Sequence, residues 1–110
     1  MNIIIDDIDI SILIILNNLP IKKNHELTTT SLAKKIFPNI SNRSTLITRD
    51  NQIRSKLRKL NSYGLILIEK KDNINYYDLI ADNVEIGKLK NFKSIFLKIN
   101  GDWCAFTIKN

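Results

Sequence analysis

One cysteine (Cys104), one histidine (His25), three glycines and two prolines are all the chain holds of these types. A lone cysteine closes no internal disulfide, so a reducing, cytoplasmic setting is expected. His25 has no second histidine or cysteine at ligand spacing, which leaves no recognisable metal motif. Gly64, Gly87 and Gly101 stand apart from one another, so there is no glycine-rich phosphate loop. Acids are few and scattered, without a paired-carboxylate pattern. No catalytic constellation emerges, and the expectation is a binding protein rather than an enzyme, needing no cofactor and no metal. The apolar stretch at 10–16 is too short to span a bilayer. The N-terminus meets Asp6, Asp7 and Asp9 where a secretory signal would carry bases.

What remains is ordinary for a folded domain: 110 residues, 44% hydrophobic and 25% charged. The net charge of +6 favours an acidic partner. Its distribution says more than its size. All four arginines, Arg43, Arg49, Arg54 and Arg58, fall between 43 and 58, and every other base is a lysine. With Lys56 and Lys59, the stretch 43–59 holds six bases against one acid, Asp50, a local +5. Arginine presents a planar fork that matches phosphate oxygens and guanine edges, whereas lysine is a point charge. An anion-reading surface is expected here, with nucleic acid as the leading partner.

Hydrophobic spacing outlines the elements. Ile8, Ile12, Ile15 and Leu19 repeat at helical intervals, predicting a first helix over about 7–18, capped by Asp6 or Asp7 and ended by Pro20. Residues 20–27 read as a connector, with a short strand at 26–28. Thr29 or Thr30 caps a second helix with Leu32, Ala33, Ile36 and Phe37 inward, stopped at Pro38. Residues 38–48 read as a loop or distorted turn. Thr48 or Asp50 then caps a third helix over about 50–62, with Leu46, Ile53, Leu57 and Leu60 on the core side and Gly64 as its stop. The runs 65–70 and 75–80 form a hairpin around a polar, basic tip. For the last third two readings stand. Asn100-Gly101 between apolar runs predicts a hairpin of 94–99 with 103–108. Ile86, Leu89, Phe92, Phe96 and Ile99 would instead share one face of a helix, which Gly87 weakens.

On a helical wheel at about 100° per residue, Ile53, Leu57 and Leu60 cluster and Ser55 lies opposite. Asn51, Gln52, Arg58 and Lys59 flank Ser55; Lys56 and Arg49 take one shoulder and Arg54 the other. Amides suit adenine and arginine suits guanine. Asn51, Gln52, Ser55 and Arg58 are therefore base-edge candidates. Arg43, Arg49, Arg54, Lys56 and Lys59, with Lys70, Lys71 and Asn73 of the hairpin tip, are phosphate candidates. A solvated amphipathic helix would show a similar face; the arginine clustering argues for more.

The run Ile53-Arg54-Ser55-Lys56-Leu57-Arg58-Lys59-Leu60-Asn61-Ser62-Tyr63-Gly64-Leu65-Ile66 resembles the recognition helix and first wing strand of winged helix-turn-helix transcription regulators. Residues 28–37 resemble the preceding helix and 8–19 the first, so the likeness covers about 8–80. It implies an α+β fold, a three-helix core plus β-hairpin wing (1–82), with 83–110 as a C-terminal β-hairpin or helix packed on the same domain. It also implies sequence-specific binding of double-stranded DNA, with helix 3 in the major groove and the wing on the backbone or minor groove, and a nucleoid-associated protein. One departure is the roughly ten residues between Phe37 and the expected cap of helix 3. Either the loop is extended, or 43–47 adds a turn of helix.

The aromatics Phe92, Phe96, Trp103 and Phe106 either complete the core or form a self-association surface for a homodimer. A second functional reading is a winged-helix protein–protein interaction module, or an inhibitor acting on a nucleoprotein complex. Cys104, in an apolar run, is expected to be a small core residue.

Overall fold

A computed structural model describes residues 5–18, 28–89 and 92–107, and its element order is three helices followed by five strands. Residues 26 and 27 of the expected strand, His25, and the Leu19 and Pro20 expected to close the first helix lie outside these residues, and Thr28 is the cap of the second helix.

Helix α1 (Asp7–Asn17) starts at Asp6 in a reciprocal capping box. The Asp6 carboxylate accepts from the Asp9 backbone N–H, and the Asp9 carboxylate accepts from the Asp6 N–H, each at 3.0 Å. Ile10, Ile12, Leu13 and Leu16 are buried. Helix α2 (Thr29–Ile36) is capped one residue earlier than the spacing suggests. The Thr28 hydroxyl accepts from the Ser31 N–H, leaving Thr29 inside the helix, where its hydroxyl meets the Tyr77 hydroxyl at 3.3 Å. That contact ties α2 to the hairpin behind it.

Helix α3 runs from Arg43 to Ser62, 20 residues. The expected loop at 38–48 is corrected to a connector of 37–42, because Asn42 and neither Thr48 nor Asp50 is the cap. The Asn42 side-chain oxygen accepts from the Thr45 N–H at 2.8 Å. No glycine or proline interrupts 43–62, so once capped the helix propagates unbroken. Its end is a Schellman arrangement: Leu65 N–H reaches the Leu60 carbonyl and Gly64 N–H reaches that of Asn61, both at 3.0 Å. Gly64 has φ +76°, which favours glycine, and it turns the chain into the first strand.

Strands β1 (Ile66–Lys71) and β2 (Ile74–Leu79) pair antiparallel from Ile66↔Leu79 to Lys71↔Ile74. The turn between them is two residues, Asp72 and Asn73, both at positive φ (53° and 63°), as a tight hairpin demands. Ile66, Ile68, Tyr77 and Leu79 share the face turned to the helices.

The helical reading of the last third is overturned. Strands β3 (Asn83–Leu89), β4 (Phe92–Ile99) and β5 (Asp102–Thr107) form an antiparallel sheet in the order β3-β4-β5. The Asn100-Gly101 hairpin is present, with φ of 52° and 86°. Strand β3 was not expected. Gly87 weakens a helix, but opposite Ser94 in a strand it leaves room for the Phe96 ring; a Cβ there would lie 2.9 Å from Phe96 Cε2. Ile95 and Leu97 are fully buried in the same core as Ile5, α1, α2, α3 and Ile66. Cys104 is only half-buried, and Trp103 remains 48% exposed on the opposite face, its ring 5.9 Å from the Lys98 ammonium. No helix among the described residues is long and apolar enough to cross a membrane.

Candidate nucleic-acid interface

Helix α3 is held by its buried side. Ile53, Leu57 and Leu60 are fully buried, and Leu46, two turns before Ile53, is partly buried against the same core. These four fall within about 60° of one another around the helix. Their burial fixes how every other residue of the helix is presented.

The shoulder toward α1 carries two ion pairs. Lys56 donates to Asp6 and Lys59 donates to Asp9. Both helices space these residues by three, so the pairs form two rungs between them. Asp9 is fully buried, and its second oxygen, Oδ1, has no hydrogen-bond partner. Burial pushes its carboxyl above the ordinary 3.8, against the pull of Lys59 and the Asp6 N–H. Asp6 is less enclosed. Burial opposes its ionisation too, but the bonds from Lys56 and Asp9 outweigh it and hold the carboxyl down to about 2. Lys56 is correspondingly raised, its burial outweighed by Asp6. Lys59 therefore does not sit on the outer face where the wheel puts it, and neither lysine presents a free ammonium to a ligand. The matched three-residue spacing of the acids and the lysines was the available signal.

Nearer the start of α3, Arg49 lies on the same shoulder as Lys56 and Asp50 lies on the opposite one, and both reach toward α2. The Arg49 guanidinium lies 4.0 Å above the Phe37 ring and donates to Gln52 Oε1 at 3.0 Å. Arg49 is thus held on the helix, not on a loop, and Gln52 is half-buried and oriented by it. Asp50 accepts from the Thr30 hydroxyl at 3.0 Å and from Arg54 Nη2 at 3.1 Å, joining α2 to α3.

Between these shoulders runs an exposed stripe. Arg43, Ile47, Asn51, Arg54 and Arg58 follow at intervals of four, four, three and four, all exposed, within about 80° of one another. Ser55 is exposed beside them. Arg43 and Arg58, at its two ends, have no ion-pair partner among the described residues. At about 1.5 Å per residue they stand roughly 22 Å apart along the helix. Arg54 keeps half its side-chain surface exposed despite Asp50.

The hairpin turn is adjacent. A cavity of about 270 Å³ is lined by Thr28–Thr30 at the start of α2, by Arg54, and by Asn73, Ile74 and Asn75. Asn73 and Arg54, 19 positions apart, thus border one groove. Lys70 and Lys71 are exposed on the strand leading to the turn. Ile47, half-exposed in the middle of this polar stripe, escaped the sequence reading because Leu46 beside it satisfies the core spacing. No group of histidine, cysteine and acidic residues able to hold a metal occurs among the described residues. No protein-family model, curated protein or solved structure matches this chain.

Proposed function

We propose that the protein binds double-stranded DNA sequence-specifically as a winged helix-turn-helix regulator, with α3 in the major groove and the β1–β2 hairpin as the wing. The observation that carries the reading is the stripe itself. Three arginines and an amide share one exposed face of a helix whose other side is core, and the only acid in that helix, Asp50, is tied to Thr30 and Arg54.

A rigid 20-residue helix is about 30 Å long, enough to lie along a major groove with both ends near phosphates. Arg43 and Arg58 then clamp the backbone at the two ends or meet guanine edges. Asn51, midway, reads adenine, and Ser55 contacts either base or sugar. Arg54, Asn73 and the lysines at 70 and 71 follow the phosphates where helix and wing converge. Lys56 and Lys59 hold α1 in place and leave the contact set, and Gln52 with Arg49 forms its buttress against Phe37.

The test is binding to a fluorescent random duplex pool in about 50 mM salt, followed by selection of the bound sequences. Binding whose log affinity falls with log salt at a slope of about −0.9 per phosphate neutralised is expected, together with an enriched motif. No binding to any duplex would overturn the reading. A stoichiometric protein partner that survives nuclease treatment would then favour the interaction-module alternative, for which the exposed Trp103 is the observation.

A further inference from the structure

Ile47 is the most exposed of the large apolar residues described, at 51%. It lies in the midst of the α3 stripe, four residues before Asn51 and seven before Arg54. The other members of that stripe are an amide and three arginines. A β-branched residue has no propensity advantage at an exposed helix position, and no core contact explains it. Its methyl groups are displayed where every neighbour offers hydrogen bonds.

We propose that Ile47 is a specificity-determining residue that reads the C5-methyl group of a thymine, a contact that rests on the duplex-DNA reading above. In the major groove only thymine presents a methyl group, and apolar side chains are its natural partner. The helix rises about 6 Å between Ile47 and Asn51, close to two base-pair steps at about 3.4 Å each. The preferred site therefore carries a thymine about two steps from the adenine that Asn51 meets. Arg43 and Arg54, one turn before and two turns after, hold the helix close enough for the methyl groups to touch. Burying one methyl group corresponds to roughly a fourfold gain in affinity.

The experiment begins with the site recovered from the random duplex pool. Each thymine in turn is replaced by deoxyuridine, which removes the C5-methyl and leaves pairing intact, and Kd is measured by anisotropy at fixed salt. In the wild type one position is expected to lose roughly fourfold on replacement. Ile47→Ala should bind the thymine site about as weakly as the wild type binds the uracil site, and should no longer distinguish the two. Its salt slope and thermal midpoint should stay at the wild-type values, since Ile47 carries neither charge nor core packing. Ile47→Val should keep part of the discrimination. A wild type with no uracil-sensitive position overturns the inference and leaves DNA binding standing. So does a uracil penalty that persists in Ile47→Ala. Failure to bind any duplex removes both this inference and the reading beneath it.

Discussion

Replacing Lys59 by methionine is the sharpest perturbation of this fold. Methionine keeps the length and the helical preference of lysine but removes the ammonium that meets Asp9. Asp9 is fully buried with Oδ1 already unpartnered, so the variant would hold a buried carboxylate whose remaining partner is the Asp6 N–H. Breaking one side of a buried pair costs about 3–5 kcal/mol; Lys59 is partly open to solvent, which sets the expectation near the lower bound, about 3 kcal/mol. With a urea m-value of roughly 1.5 kcal/mol/M, the unfolding midpoint falls by about 2 M. Lys56→Met, at the outer rung, should cost about 1 kcal/mol or less, since the Asp6 carboxylate it leaves behind is 35% exposed and is solvated by water where Asp9 is not.

The pH dependence separates this mechanism from a general loss of packing. Burial raises the Asp9 carboxyl above its ordinary 3.8 in the folded state. A raised carboxyl contributes stability that is complete below 3.8 and lost as pH rises through the folded value. Removing Lys59 widens that gap, so the penalty in Lys59→Met should be small near pH 4 and largest at neutral pH. Asp6 works in the opposite sense. Held at about 2, it contributes stability above 3.8 that is lost as pH falls through 2. Urea titrations followed by circular dichroism at several pH values read both. A Lys59→Met variant as stable as the wild type at neutral pH, or equally destabilised at pH 4, would refute the buried-pair account.

Arg58→Ala should reduce the salt slope of duplex binding by about 0.9 or blur one base position, whereas Lys56→Gln should leave the slope nearly unchanged because Asp6 already neutralises that ammonium; anisotropy over a salt series distinguishes the two. Asp72→Asn keeps a residue tolerant of positive φ at the turn and removes the acid beside Lys71, so it should tighten duplex binding with little change in thermal midpoint. Gly87→Ala places a Cβ 2.9 Å from Phe96 Cε2 and should destabilise by about 1–2 kcal/mol in denaturant titrations, with most of that penalty absent in a Phe96→Leu background.

Local elements were largely legible. The helical character of α1, its Asp6 cap, the core residues of α3, the Gly64 stop and both hairpin turns all rest on interactions within a few residues, so the local chain specifies them; which side of α1 is buried, Ile10, Ile12, Leu13 and Leu16, was set by docking. Two caps were misplaced for a common reason: several residues with a hydroxyl, carboxylate or amide oxygen able to cap stand near each helix start, and only backbone geometry selects Thr28 and Asn42 among them. Strand β3 was hidden because Val84, Ile86 and Leu89 are compatible with either period, and it is pairing with β4 across Gly87 that makes the extended form the better one.

The arginine cluster shows the division most plainly. That residues 43–59 are strongly basic, and that Ile53, Leu57 and Leu60 turn one side of that stretch inward, follows from composition and helical period alone. Which of those charges stay available was decided by packing. Asp6 and Asp9 reach Lys56 and Lys59 across 50 positions, and Phe37 takes Arg49. Partners so distant along the chain meet only when helices dock, because docking alone brings opposite charges close in a medium that screens them poorly. What remains exposed is a narrower surface than the count of bases suggested: Arg43, Arg54 and Arg58, with Asn51 and Ile47 between them.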